Sequence, residues 1–309
     1  EKMNRTCYCL VLVCLPPLLA GCPSGEDGGE VSLEQRFLDA KNITSPSSRA
    51  NRLIEVARDY YAAGDTAGGQ KALDAAFEAA GAAEDTVGKA NAFNDIAVAE
   101  ADFGRKSSAE EALKEARRAA NEIELPGIKV EQLAKVAVTF GTKLEDKSKA
   151  SAYLSAAKDA AEGITDPATR AEAIANLAAS HHDLGQADEA AAMMTAATEA
   201  ADQIEDTNKR ADAIGKIAAK ATQMGAANAE DLFDQAISVA EEITDASAKA
   251  HRLADLALAM HRAGNSAGAQ ELIKKASAAA DQIGEQGLKT EAQSKIDGYL
   301  KQMYHLAMV

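Results

Sequence analysis

A glycine recurs along this chain at a near-constant spacing, and that recurrence restricts the possible folds more than any other feature. The glycines are Gly64, Gly104, Gly185, Gly225 and Gly264, and Leu144 stands in the one slot without a glycine. Seven residues before each slot lies an alanine: Ala57, Ala97, Ala137, Ala178, Ala218 and Ala257. An aliphatic residue precedes each alanine, from Val56 to Leu256, and a larger apolar residue lies three positions earlier, from Leu53 to Leu253. Apolar positions at steps of three and four mark one face of a helix. A second run of landmarks follows each slot and closes on Ile123, Ile164, Ile204, Ile243 and Ile283. The unit is therefore a helix A, a turn, a helix B and a short polar link, about 40 residues in all. Such units bury their apolar faces only against their neighbours, so the chain must stack them.

Six such units fill residues 50–285. Residues 32–43 read as a helix B without its partner, and residues 289–304 as a lone closing helix A, which predicts fourteen helices over 32–309. Composition agrees. Aromatics make up 4% of the 309 residues and Trp is absent, while strands favour aromatic and β-branched side chains. Each glycine suits a helix end that turns with positive φ. The links ITDPATR, IEDTNKR and ITDASAK supply Asp, Thr and Ser to cap the next helix A. A basic residue also recurs (Arg49, Lys89, Lys129, Arg170, Arg210, Lys249, Lys289), mostly four positions after an acid such as Asp85, Asp166, Asp206, Asp245 or Glu285. That spacing predicts capping and an ion pair inside each link. In the third unit, where Leu144 replaces glycine and Pro126-Gly127 precedes helix A, a bent or shifted packing is expected.

The pattern of a large apolar residue, an aliphatic–alanine pair, a glycine seven later and small residues such as Ala109, Ala190 and Ala269 resembles the tetratricopeptide repeat. The likeness covers residues 50–285 and departs in unit length and in its scarcity of aromatics and Pro. It implies a right-handed α-solenoid whose A helices line a concave, peptide-binding surface. Carried over by register, that surface would include Asn51, Arg58, Tyr61, Asn91, Asn94, Asp102, His182, Asp183, His251, His261 and Arg262. The polar members cluster at the two ends, with Tyr61 and Arg262 as the expected anchors. The centre is small: Ala134, Val138, Ala175, Ala179, Gly215 and Ala219. Small side chains at this spacing suit either an open channel or close helix packing.

The first residues read as an address. Met3-Asn4-Arg5 is a short basic start, and the chain is apolar from Cys7 to Leu19 apart from Pro16 and Pro17. That run is shorter and more broken than a spanning helix of about 20 residues and fits the apolar core of a signal peptide. It ends Leu19-Ala20-Gly21-Cys22, which resembles the bacterial lipobox. The resemblance implies removal of residues 1–21, acylation of Cys22 and a flexible tether over 22–31. Pro23 in place of Asp favours the outer membrane, facing the periplasm. The other cysteines, Cys7, Cys9 and Cys14, lie in the same signal, so the body carries no disulfide framework.

Chemistry is hard to find. The net charge of −15, with charges interspersed, argues against a nucleic-acid partner. No GxxxxGK[ST], GxGxxG or HExxH motif occurs, and no His pair has metal-ligand spacing. The one GxSxG match, Gly264-Asn265-Ser266-Ala267-Gly268, spans a turn between two repeat helices and is no strand-to-helix nucleophile elbow. The expectation is a non-enzymatic scaffold that needs no cofactor or metal. Anchored to the membrane through Cys22, it would hold a protein or peptide. The alternative is a carrier of a small molecule or glycan in the groove.

Overall fold

The structure is a computed structural model and describes residues 31–306. The expected signal, Cys22 and all but the last residue of the tether lie outside the described residues. From Leu33 onwards the chain packs as one compact unit. Among the described residues it is built of helices alone, fourteen of them. A single helix α1 (Leu33–Lys41) opens the stack. Six pairs follow: α2 (Pro46–Ala62) with α3 (Thr66–Gly81), α4 (Thr86–Asp102) with α5 (Lys106–Glu122), and α6 (Pro126–Thr142) with α7 (Lys147–Glu162). Then come α8 (Pro167–Asp183) with α9 (Ala187–Asp202), α10 (Thr207–Gln223) with α11 (Ala229–Glu241), and α12 (Ala246–Arg262) with α13 (Ser266–Asp281). Helix α14 (Gln286–Leu306) closes the stack. Each helix A packs most closely on its own helix B and also packs against the neighbouring helices A, as a helical repeat requires.

The turns inside the pairs are set by backbone chemistry. In the first, Asp65 N–H reaches back to Tyr60 O at 2.9 Å and Gly64 N–H to Tyr61 O at 3.0 Å, a Schellman closure. That closure needs a left-handed residue, and Gly64, Gly104, Gly185, Gly225 and Gly264 all have φ between 66° and 92°. The third turn corrects the sequence register. Leu144 is not the left-handed residue; Glu145 is, at φ 58°. Asp146 N–H now reaches Phe140 O at 3.0 Å, so this turn is one residue longer than its counterparts. The extra residue lets Leu144 turn inward, where it is buried. The change at this unit is thus local to the turn.

The links work as caps. Asp85, Asp166, Asp206 and Asp245 each accept a backbone N–H from the first turn of the following helix A. The three arginines among the recurring bases do something other than pair with those acids. Arg49, Arg170 and Arg210 donate to the carbonyls of Ile43, Ile164 and Ile204, just past the end of the preceding helix B. A guanidinium reaches an unpaired carbonyl six residues back more easily than an acid whose oxygens are already committed to backbone amides.

The core forms two contiguous bodies of side chains that meet at α6. Val136 and Phe140 belong to the first, with α1–α3 and most of α4 and α5; Val130, Leu133, Ala134 and Ala137 belong to the second, with Ala90, Ala119, Ala120, Ile123 and the helices that follow.

Candidate interaction face

Helices A lie side by side along the stack, so one face of α2, α4, α6, α8, α10, α12 and α14 forms a continuous row. What fills the seams between them decides where a partner could enter. At the α4–α6 seam polar side chains bridge the helices. Lys135 Nζ donates to Asn91 Oδ1 at 3.2 Å, Thr139 Oγ1 to Asn94 Oδ1 at 3.0 Å, and Lys143 Nζ to Asp102 Oδ1 at 2.7 Å. Burial raises the Asp95 carboxyl above its ordinary range, with Arg58 and Lys135 opposing it. At the α2–α4 seam Tyr61 stacks on Phe103, ring centres 3.5 Å apart.

The far end is bridged in the same way. Arg252 of α12 donates to Asn208 at 2.9 Å and to Asp212, both on α10. Lys295 and Tyr299 of α14 bond Asp255 of α12 at 3.1 and 2.8 Å. The Tyr299 hydroxyl is pushed up to about 12 by burial and by Asp255, with the Arg262 guanidinium working against both.

Two seams differ. Among the described residues no hydrogen bond or ion pair crosses from α6 to α8 or from α8 to α10 between helices A. A hollow of about 340 Å³ opens between α8 and α10, with Glu172, Ala175 and Asn176 on one side and Lys216, Ala219 and Lys220 on the other. A second, of about 330 Å³, opens between α6 and α8 beside Leu125, Pro126, Ile128 and Glu131. Glu172 and Asn176 line both, so the two hollows form one groove over three helices.

The face expected from the sequence therefore divides. Asn91, Asn94 and Asp102 are brought together with α6, and their polar atoms are engaged in the stack. Tyr61 is half-buried against Phe103. Asn51, Arg58, His182, Asp183 and Arg262 are exposed. The His261 ring nitrogen Nδ1 lies 3.0 Å from Ser266 Oγ, while His251 Nε2 is shielded from solvent without a hydrogen-bond partner. The sets on α2–α4 and on α12 sit on helices that do not pack against each other. Of the small central residues, Ala134, Ala175 and Gly215 are buried. At Gly215 an added Cβ would come within 2.4 Å of Leu256 Cδ2 on α12, so close packing explains that glycine. Ala175 and Ala219 line the groove.

The groove residues Glu172 and Asp212 escaped the sequence reading, although the signal for them existed. They stand thirteen residues before Gly185 and Gly225, as Asn51 and Asn91 stand before Gly64 and Gly104. Register alone places them on the same face.

Among the described residues no group of three or more His, Cys, Asp or Glu side chains is arranged to hold a metal, and no helix is long and apolar enough to cross a membrane. No family model matches the chain, and no curated protein matches it. Two solved structures are similar over most of its length. Ton1535 from Thermococcus onnurineus NA1 shares 15% identity over 85% of this chain and 94% of its own, with a TM-score of 0.45. Aspartyl phosphate phosphatase F from Bacillus subtilis shares 13% identity over 89% of this chain and 73% of its own, with a TM-score of 0.36. The helical-repeat description rests on the packing of the fourteen helices and not on these likenesses.

Proposed function

We propose that this protein is a tetratricopeptide-like interaction scaffold, anchored to a bacterial membrane through an acylated Cys22, that binds a protein or peptide along the face of its helices A. One observation supports the binding reading above the others. The seams at both ends of the row are bridged by hydrogen bonds and rings, while the α6–α8 and α8–α10 seams are left open. Buried and half-buried polar groups are normally paired within a fold. Asn176 and Lys220, both half-buried, make no side-chain hydrogen bond or ion pair in theirs, although they line one hollow. Groups held in place without partners are available to an incoming chain. A carrier of small molecules would instead draw its polar groups around an enclosed cavity.

The anchor rests on the sequence alone. With a leader ending at Gly21 and a tether of nine residues after Cys22, the body would sit within roughly 30 Å of the lipid surface.

The test is site-specific photocrosslinking in the producing cell. A photoreactive side chain at Ala219, in the groove, is expected to yield a discrete protein adduct in the membrane fraction. The same group at Lys274, on a helix B, is expected to yield none. Adducts of equal strength at both positions would remove the groove from consideration. For the anchor, Cys22→Ser should abolish uptake of labelled fatty acid and release the protein from membranes.

A further inference from the structure

Five of the links enter helix A through an oxygen-bearing cap: Ser45, Asp85, Asp166, Asp206 and Asp245. The third link does not. Leu125 occupies the cap of α6, makes no side-chain cap hydrogen bond, and is 61% exposed. An apolar residue at this position gives up about 1 kcal/mol of helix stability relative to Asp or Ser. It also leaves a large side chain in water, and local rules broken in this way tend to mark functional sites. Leu125 stands at the mouth of the groove, beside Ile128 and Pro126.

The opposite wall is cationic. Lys209, Lys216 and Lys220 are spaced seven and four apart, so they share one face of α10 over about 16 Å. The ammonium groups of Lys209 and Lys220 make no hydrogen bond and no direct ion pair. Asp166, the cap of α8, is the acid that feels the Lys209 charge. Lys216 pairs with Asp212, but that carboxylate is shared with Arg252. Glu172 is the one acid of this wall and its neighbour without a cation of its own. The two hollows together are lined by three lysines and three acids, but all three lysines stand on α10, with Asp212 as the one acid among them, in a chain whose net charge is −15.

We infer that the groove recognises an extended protein segment in which one large apolar side chain is followed by a cluster of carboxylates. The apolar group seats against Leu125 and Ile128, and the carboxylates lie along Lys209, Lys216 and Lys220. The inference rests on the peptide-binding reading above and specifies its partner. The size fits. Adjacent packed helices lie about 8–10 Å apart, so the path from α6 across α8 to α10 is roughly 18 Å, or about six extended residues. Complementary charge also steers encounter, and it does so most strongly at low salt.

The probe is an array of ten-residue peptides in a Gly/Ser frame. Each carries one Leu, Phe or Met and three acidic, three basic or no charged residues. The purified full chain should be retained by the apolar-plus-acidic set at least tenfold more than by the neutral or basic sets. Lys209→Glu/Lys216→Glu/Lys220→Glu, with its helical signal and melting temperature checked, should reverse that preference. Leu125→Asp should weaken retention about tenfold and leave the preference for acids intact. An acidic preference that survives the triple variant overturns the inference. So does retention of neutral or basic peptides that is blocked by Ala219→Trp, although the peptide-binding reading then stands. Retention of no peptide in any set removes both.

Discussion

From α1 to α7 the spaces between helices are filled by rings. Phe77 meets Phe93 edge-on at 4.9 Å, Tyr61 stacks on Phe103, and Phe140 stacks on Tyr153 at 5.1 Å. From α8 to α13 the only aromatic residue is Phe233, and the same spaces close on Ala, Leu, Ile and Met. The repeat is the same in both halves; the filling is not. A ring buries about 150–250 Å² and fixes its neighbours through a preferred geometry. Alanine contributes little area but loses no rotamer freedom, and it lets helices approach closely. In the first half, rings and the Asn91, Asn94 and Asp102 bridges fill the face of helices A. In the second half, small side chains leave that face open at α8–α10. The comparison teaches that a repeat stack is held by its helix A–helix B interior, while the face of helices A can be filled or left vacant unit by unit.

Four perturbations would break or sharpen that contrast. The largest effect is expected in the ring-filled half. Phe93→Ala removes a side chain 2% exposed, at a cost of about 3–5 kcal/mol in urea unfolding. Ala219→Leu, within the open groove, should change stability by less than about 1 kcal/mol, as replacements outside a packed core usually do. Equal losses for the two would mean that the groove is packed as tightly as the ring-filled seams.

The next effect compares turns. Gly185→Val forces a β-branched residue to φ 71° and should cost at least about 1–2 kcal/mol. Glu145 already stands at φ 58° in the longer turn, so Glu145→Gly should instead stabilise, by up to about 1 kcal/mol. A loss at Glu145→Gly would show that the longer turn depends on that side chain, through its exposed contact with Lys106 for example.

Leu125→Asp should raise the urea midpoint, by about 1 kcal/mol of cap energy, while it weakens peptide retention. Stability and binding moving in opposite directions would separate the third link from the five that are capped. A fall in stability would mean that Leu125 supports the fold.

The smallest effect concerns protons. Glu100 is buried beside Arg105, and burial pushes its carboxyl above the ordinary value despite that guanidinium. A raised carboxyl binds its proton more tightly in the folded state. Its contribution is therefore present in acid and lost as pH rises through the raised value. Asp166, held low by Thr169, behaves oppositely: its contribution is present at neutral pH and lost as pH falls through the lowered value. Unfolding midpoints of Glu100→Gln should therefore decline less than those of the parent chain as pH rises above the ordinary carboxylate range. An unchanged slope would show that Glu100 does not change its proton affinity on folding.

The helices, their number, the glycine turns and the aspartate caps were all legible in the sequence. Each depends on interactions within a few residues: a left-handed φ at Gly185, or a carboxylate of Asp206 meeting the N–H of Lys209 at 2.9 Å. The repeat multiplies such local signals until their register is unambiguous. What register could not distinguish is how each exposed position is used. Asn91 and Glu172 stand at equivalent places, yet the first meets Lys135 across a seam and the second faces an open groove. The side chain opposite, about 40 residues away in sequence, decides between them. The same distance hid the role of Arg170, which bypasses its neighbouring acid for the carbonyl of Ile164 and the amide oxygen of Gln203. It also hid the shift of the left-handed residue from Leu144 to Glu145, which follows from Leu144 entering the core. Local chemistry set the elements and their order. Tertiary packing chose which seams close, because only the partner across a seam determines whether a polar side chain is bonded there or left for another molecule.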